Sequence, residues 1–342
     1  MIAAALFALT LAVADEMAAL AARLDAARST YQRIFEAHPR EHTILDGLAI
    51  PQRIADDREL LDETVPDGYD RADWSETVRL LVDLDADLVE QLANRPAPFD
   101  LEPGLREHIL RSGRDGVFDA VATYVPSGPP RAVAIVLHGN PQTESGLLAQ
   151  PYLRRLADLT ATILIAPYGR GSYDFRGPPT ADLYGLVDLL KASPKVSSLR
   201  FFLAGYSMGG FTAYMLGPGA PIRWDGVLDV SGALVGSAAG AVVKRWSNTR
   251  IYVVHGERDT SIPTQFSHDT AIFLFEAGIP VSYYEQPSGG HALRTLFPQL
   301  RQAWLDMHAG TVRSAEAGRL AREGMRALPS GAGPAAGHVD HP

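Results

Sequence analysis

Arg200-Phe201-Phe202-Leu203-Ala204-Gly205-Tyr206-Ser207-Met208-Gly209-Gly210 decides how the rest of the chain is read. Phe201 to Ala204 is a short apolar run of the buried-strand type, and it leads straight into Gly-x-Ser-x-Gly. Phe211-Thr212-Ala213-Tyr214-Met215-Leu216 then continues as a helix. A serine held at a tight strand-to-helix turn has its hydroxyl pushed out of the fold. Glycine is expected at 205 and 209 because a Cβ at either place would collide across the turn. A bare Gly-x-Ser-x-Gly also describes an ordinary turn, so the reading depends on partners elsewhere.

Serine is a weak nucleophile until a base removes its proton, and that base must be oriented by a third group. In a sheet of this order the acid follows the nucleophile on a later strand end, and the histidine comes last. Ile251-Tyr252-Val253-Val254 is an apolar strand that ends in a glycine turn at Gly256, with Asp259 just beyond it and Ile262-Pro263 opening a helix. Asp259 is therefore the expected acid, with Glu257 and Asp229 as competing carboxylates. Tyr283-Tyr284-Glu285-Gln286-Pro287-Ser288-Gly289-Gly290-His291 supplies the base, because the two glycines let the His291 imidazole swing back over the serine. His255 and His268 lie near Asp259 in sequence but not in that final loop. A tetrahedral intermediate also needs preorganised donors, and the backbone N–H groups of Asn140 and Met208 are the expected pair. His138 is read as a brace for the Asn140 loop. The chemistry needs no metal and no cofactor.

Outward from these motifs, strand and helix patterns alternate. A hairpin is expected at 108–110 and 118–125, with strands at 132–137, 162–166, 200–206, 226–230, 251–254 and 281–284. Helices are expected near 147–159, 181–190, 211–216, 266–277 and 293–308. This alternation predicts a doubly wound, mostly parallel sheet with helices on both faces.

Over residues 105–310 the chain resembles the α/β-hydrolase superfamily. The motifs that carry the likeness are Gly205-Tyr206-Ser207-Met208-Gly209-Gly210, His138-Gly139-Asn140, Gly256-Glu257-Arg258-Asp259 and Gly290-His291. Ala166-Pro167-Tyr168-Gly169-Arg170-Gly171-Ser172-Tyr173-Asp174 is similar to a segment of bacterial esterases and of prolyl-oligopeptidase-like catalytic domains. The resemblance implies a serine hydrolase that cleaves carboxylic esters through an acyl-enzyme. Its substrate would be a small-molecule or saccharide-linked ester, with Tyr168, Arg170, Tyr173 and Tyr206 as pocket candidates. A prolyl-oligopeptidase-like peptidase is the enzymatic alternative, and a non-catalytic hydrolase-like binding protein the other. His138-Gly139-Asn140-Pro141 is also similar to haloalkane dehalogenases, whose nucleophile is a carboxylate; Ser207 occupies that place. Only about twenty residues, 231–250, stand where many lipases insert a helical lid.

The flanks read differently. Ile2 to Ala14 is an uninterrupted apolar run too short to span a bilayer, and Ala12-Val13-Ala14 has the form of a cleavage site. A signal peptide over 1–14 is expected, with a mature start at Asp15, no integral membrane segment in the mature chain, and a secreted or periplasmic location; otherwise the protein is cytoplasmic. Residues 15–104 form a helical N-terminal region with amphipathic patterns at 16–35 and 75–92. Asp73 and Glu76 have the form of a capping box, and these helices are expected to pack over or beside the site. Residues 311–342, rich in Ala, Gly, Pro and Arg, are expected to form a disordered tail, with His338 and His341 solvated. The 342 residues carry a formal charge of −9, which argues against nucleic acid and anionic membranes as partners. With no cysteine there is no disulfide and no thiolate site.

Overall fold

Eight strands build one mixed sheet: β1 (Gly104–Arg111), β2 (Phe118–Val125), β3 (Ala132–Leu137), β4 (Thr162–Pro167), β5 (Arg200–Tyr206), β6 (Gly226–Val230), β7 (Ile251–Gly256) and β8 (Val281–Gln286). The computed structural model describes residues 2–66, 69–94, 96, 98–171 and 175–327, with backbone alone at 2–14 and 324–327. The strand order is β1-β2-β4-β3-β5-β6-β7-β8. β1, β2 and β4 pair antiparallel, and every pairing from β4 through β8 is parallel. Each residue of β3, β4, β6 and β7 is buried. Their unbroken aliphatic runs follow from that, because helices cover both faces of a parallel sheet.

Four helices precede the sheet: α1 (Ile2–Ala37), α2 (His42–Leu45), α3 (Ile50–Asp62) and α4 (Arg71–Asn94). Eight more follow among the described residues: α5 (Glu144–Ala149), α6 (Pro151–Thr160), α7 (Pro178–Ala192), α8 (Met208–Leu216), α9 (Ala239–Trp246), α10 (Gln265–Glu276), α11 (Leu293–Ala309) and α12 (Ala315–Ala327). Alternate side chains of β3 serve the two faces. Val133, Ile135 and Leu137 pack with Leu186, Val187 and Tyr214, while Ala134 and Val136 pack with Leu153, Leu296 and Trp304. The short segment between β6 and β7 holds α9, which buries Val242 and Trp246.

The helical N-terminal region shares a core with the sheet. Leu24, Leu48, Ile50, Val82 and Leu88 cluster with Ile109 and Ala120 of the β1–β2 hairpin and with Tyr168. The boundary at 104/105 falls at the start of β1 and does not separate one core from another. The N-cap of α4 is Asp70, whose carboxylate accepts the N–H groups of Ala72 and Asp73. Asp73 and Glu76 are turned instead to Arg155 and Arg154 of α6. The expected cleavage point after Ala14 falls inside the helical span of α1. Among the described residues no helix is long and apolar enough to cross a membrane.

The expectation of disorder from 311 onward is corrected over its first half. α12 buries Ala317, Leu320 and Ala321 against the body of the protein. Its spacing of small and apolar residues at i, i+3 and i+4 is a helix face that the Ala/Gly/Arg-rich composition conceals. Arg313 pairs with Asp306, and the Ser314 hydroxyl donates to the Val281 carbonyl of β8 at 2.9 Å. Residues 328–342, with His338 and His341, lie outside the described residues.

Candidate active site

The parallel strands deliver their C-terminal ends to one rim of the sheet, the usual place for a site in such folds. Pairing of β3 with β5 sets Leu137 level with Gly205. The His138–Asn140 loop and Ser207 therefore leave the sheet side by side. Ser207 holds φ 53° and ψ −117°, a backbone region that non-glycine residues rarely occupy. A Cβ on Gly205 would lie 2.1 Å from the Gly209 carbonyl oxygen, so the turn closes only with glycine there. Gly139 is constrained less severely. A Cβ on it would stand 3.2 Å from the Ser207 Cβ and 3.1 Å from the Tyr206 ring.

Ser207, Asp259 and His291 come together. His291 Nε2 lies 2.9 Å from Ser207 Oγ, and its Nδ1 lies 2.7 Å from Asp259 Oδ2. Asp259 turns its other oxygen to the N–H groups of Ser261 and Ile262, each at 2.9 Å. Burial alone would raise the Asp259 pKa. The Ile262 and Ser261 amides and the His291 imidazole outweigh it and hold the carboxyl below its ordinary value. An ionised Asp259 favours the tautomer in which Nδ1 donates to it and Nε2 faces the serine.

The competing carboxylates are used elsewhere. Glu257 accepts the Ser288 N–H, and Asp229 accepts the Gly232 N–H at 2.9 Å. His138 is buried with both ring nitrogens facing backbone carbonyls, those of Gly139 and Tyr168, which makes it a brace for the loop. Sequence reasoning passed over His255. Its Nε2 stands 3.3 Å from Asp259 Oδ2 and 2.9 Å from the Ile262 carbonyl, so a second, fully buried imidazole backs the acid. Its place four residues before Asp259 was the available signal.

Two pocket assignments are corrected. Tyr168 is buried beneath the Arg53 guanidinium, 4.2 Å from its ring centroid, and belongs to the N-terminal core. Arg170 is held by Asp115 at 2.7 Å and Asp182 at 2.6 Å, which leaves its charge committed. Tyr173 lies outside the described residues. Tyr206 keeps a place at the site, since its ring centroid is 5.3 Å from that of His291 and its hydroxyl donates to the His291 carbonyl. Burial, with the Asp259 charge adding, pushes its phenol up to about 12, so it stays protonated. A cleft of about 150 Å³ opens beside it, lined by Tyr69, Gln142, Gln150, Ala292, Leu293 and Arg294 as well.

The loop after β3 rests on the N-terminal helices. Arg53 of α3, with its side chain 1% exposed, reaches Glu144 at 2.7 Å and Asp85 at 3.0 Å. It also donates to Ser145 and to the Leu48 carbonyl. Glu144 opens α5 directly after Thr143, whose hydroxyl caps that helix through the Gly146 N–H. Glu107 and Asp57 lie buried in the same cluster. Desolvation raises both, Asp57 to about 9. Among the described residues no cluster of histidine and acidic side chains is arranged to hold a metal ion.

Asp229 is fully buried under the elbow, and burial pushes its carboxyl up to about 7 from an ordinary 3.8. The folded state thus binds this proton more tightly than the unfolded chain. Its contribution is complete below about pH 4 and is lost as pH rises through about 7. Asp229→Asn, uncharged throughout, should flatten the fall in unfolding free energy between pH 4 and 7 by up to about 1.4 kcal/mol per unit. Urea unfolding at four pH values measures this, and an unchanged slope would refute it.

These strands, crossovers and rim together constitute the α/β-hydrolase fold. A solved structure supports that fold. A ferulic acid esterase superposes with a TM-score of 0.51 at 15% identity, covering 61% of this chain and 99% of the other. A thermostable esterase gives 0.49 at 20% identity, over 61% of this chain and 63% of that one. LpqC, a poly(3-hydroxybutyrate) depolymerase from Bordetella parapertussis, gives 0.48 at 17% identity, over 64% and 95%. No family model and no curated protein sequence matches the chain.

Proposed function

We propose that this protein is a serine hydrolase that cleaves carboxylic esters through an acyl-enzyme. The observation that carries the reading is the continuous chain Ser207 Oγ–His291–Asp259, at 2.9 and 2.7 Å, hung on a strained elbow. His291 Nε2 takes the Ser207 proton as Oγ attacks the ester carbonyl. Asp259 stabilises the imidazolium that forms. The oxyanion is received by the backbone N–H groups of Asn140 and Met208. Gly139 supports this role, because it lets the Asn140 loop approach the serine closely. His291 then protonates the leaving alcohol, and water repeats the sequence to release the acid. Small-molecule and saccharide-linked esters are the proposed substrates.

A fluorophosphonate probe should label the protein stoichiometrically, with the adduct on Ser207 by mass spectrometry, and p-nitrophenyl butyrate should protect against it. Absence of labelling, or labelling at another residue, would overturn the proposal. A series of p-nitrophenyl esters of rising chain length, run beside acetylated and feruloylated sugars, then ranks the acyl and alcohol groups.

A further inference from the structure

Arg294 is the residue of this site with an unexplained charge. It lies in the first turn of α11, three residues after His291, half-buried. Its guanidinium carbon stands 5.1 Å from the centroid of the Tyr69 ring. The other arginines that reach inward are matched to acids: Arg53 to Glu144 and Asp85, Arg154 to Glu76, Arg170 to Asp115 and Asp182. Among the described residues no carboxylate comes within 4 Å of Arg294, in a chain whose net charge is −9. Removing a guanidinium partly from water without an acid beside it costs free energy unless something else supplies the negative charge.

The surroundings fit a ligand better than packing alone. Arg294 lines the cleft of about 150 Å³ together with Gln142, Gln150, Tyr69 and Tyr206. That volume holds on the order of five waters, enough for a carboxylate and its first methylenes. Tyr206 is shared with the proposed nucleophile next to it in the chain, and Gln142 follows Asn140 by two residues. The amides and phenols around the guanidinium are neutral hydrogen-bonding groups, and none of them cancels its charge. Tyr69, from the chain between α3 and α4, is a neutral cation–π neighbour of the guanidinium and leaves its charge unmatched.

We infer that this cleft binds an anionic group of the substrate, so that the site selects esters that also carry a carboxylate. The inference rests on the serine-hydrolase reading of Ser207. The carboxylate pairs with Arg294 and takes a further hydrogen bond from the second N–H of the Gln142 or Gln150 amide, whose first goes to the Gly146 carbonyl, while the ester carbonyl lies at Ser207. The acid could belong to the acyl or to the alcohol half, and two matched pairs separate these. The acyl pair is p-nitrophenyl hydrogen adipate against p-nitrophenyl hexanoate. The alcohol pair is 4-(carboxymethyl)phenyl butyrate against 4-ethylphenyl butyrate.

In at least one pair the anionic ester should have the higher kcat/KM, by about tenfold or more, the worth of one charge-assisted hydrogen bond. Arg294→Gln should abolish that preference through KM while leaving the neutral ester within about twofold; Arg294→Lys should restore part of it. Equal kcat/KM within both pairs would overturn the inference. So would an Arg294→Gln loss that falls equally on neutral and anionic esters, since that describes a packing residue. Fluorophosphonate labelling separates the two levels of failure. Labelling of Ser207 without any carboxylate preference sinks the anion site alone, whereas a protein that neither labels nor turns over any of the four esters sinks both.

Discussion

Ser207→Ala is expected to lower hydrolysis of p-nitrophenyl butyrate by on the order of 10⁶ in kcat, with the fold unchanged. The magnitude follows from the way the three side chains act as a unit. Without Oγ there is no acyl-enzyme, and the His291–Asp259 pair has no proton to take. Substrate binding and the backbone donors remain, so KM should move little. Alanine inherits the same φ of 53° and the same strain, and its melting temperature should match that of the parent within a degree or two. Ser207→Gly separates function from strain. Glycine tolerates this backbone, and relief of about 1–3 kcal/mol, less the entropy glycine adds to the unfolded chain, should leave a more stable and equally inactive protein. Ester turnover within tenfold of the parent in Ser207→Ala would end the assignment. A destabilised Ser207→Gly would mean that the elbow stores no strain.

Arg53→Met is expected to cost about 3–5 kcal/mol of unfolding free energy. The methionine keeps most of the volume, and what is lost is charge. Glu144 and Asp85 would be left buried without their cation, beside Glu107 and Asp57. The sign of the pH dependence follows. Burial and neighbouring acids already raise Glu144 to about 7, so protons can replace the missing arginine at low pH. The loss should therefore be smaller at pH 5 than at pH 8, and adding Glu144→Gln should recover part of it at pH 8. Because Glu144 opens α5 just beyond the Asn140 loop, kcat should fall along with stability. Urea denaturation at the two pH values decides the matter. A cost below 1 kcal/mol at pH 8 would show that the buried acids do not depend on Arg53.

The grouping of Ser207, Asp259 and His291 was legible because each follows a strand of the parallel sheet, at it or within a short turn of it, and such strand ends share a rim. All eight strands of the sheet follow from apolar runs and the turns that punctuate them. What escaped reading is pairing between residues distant in the chain. Arg53 and Glu144 are 91 residues apart, and no local pattern links them. The same blindness misassigned Tyr168 and Arg170. Both sit in a segment that resembles esterase sequences, yet one is claimed by Arg53 and the other by Asp115 and Asp182. His255 was discounted for lying outside the last loop, although a turn after β7 folds Asp259 back toward it. α12 was lost to composition, since an amphipathic face made of alanine and a single leucine carries little hydropathy.

That last helix has a consequence for how molecules of this protein meet one another. β8 is an outermost strand of the sheet, and an open strand edge offers unpaired N–H and C=O groups to any neighbouring chain. Here the start of that edge is occupied. Ser314 takes the Val281 carbonyl, the Arg313 N–H goes to the Ser282 hydroxyl, and α12 lies against the strand. The segment that looks most dispensable by composition thus covers the start of the open edge. Trimming it is expected to leave the proposed catalytic rim intact and to bare that end of β8, which a rise in light scattering on concentration would report.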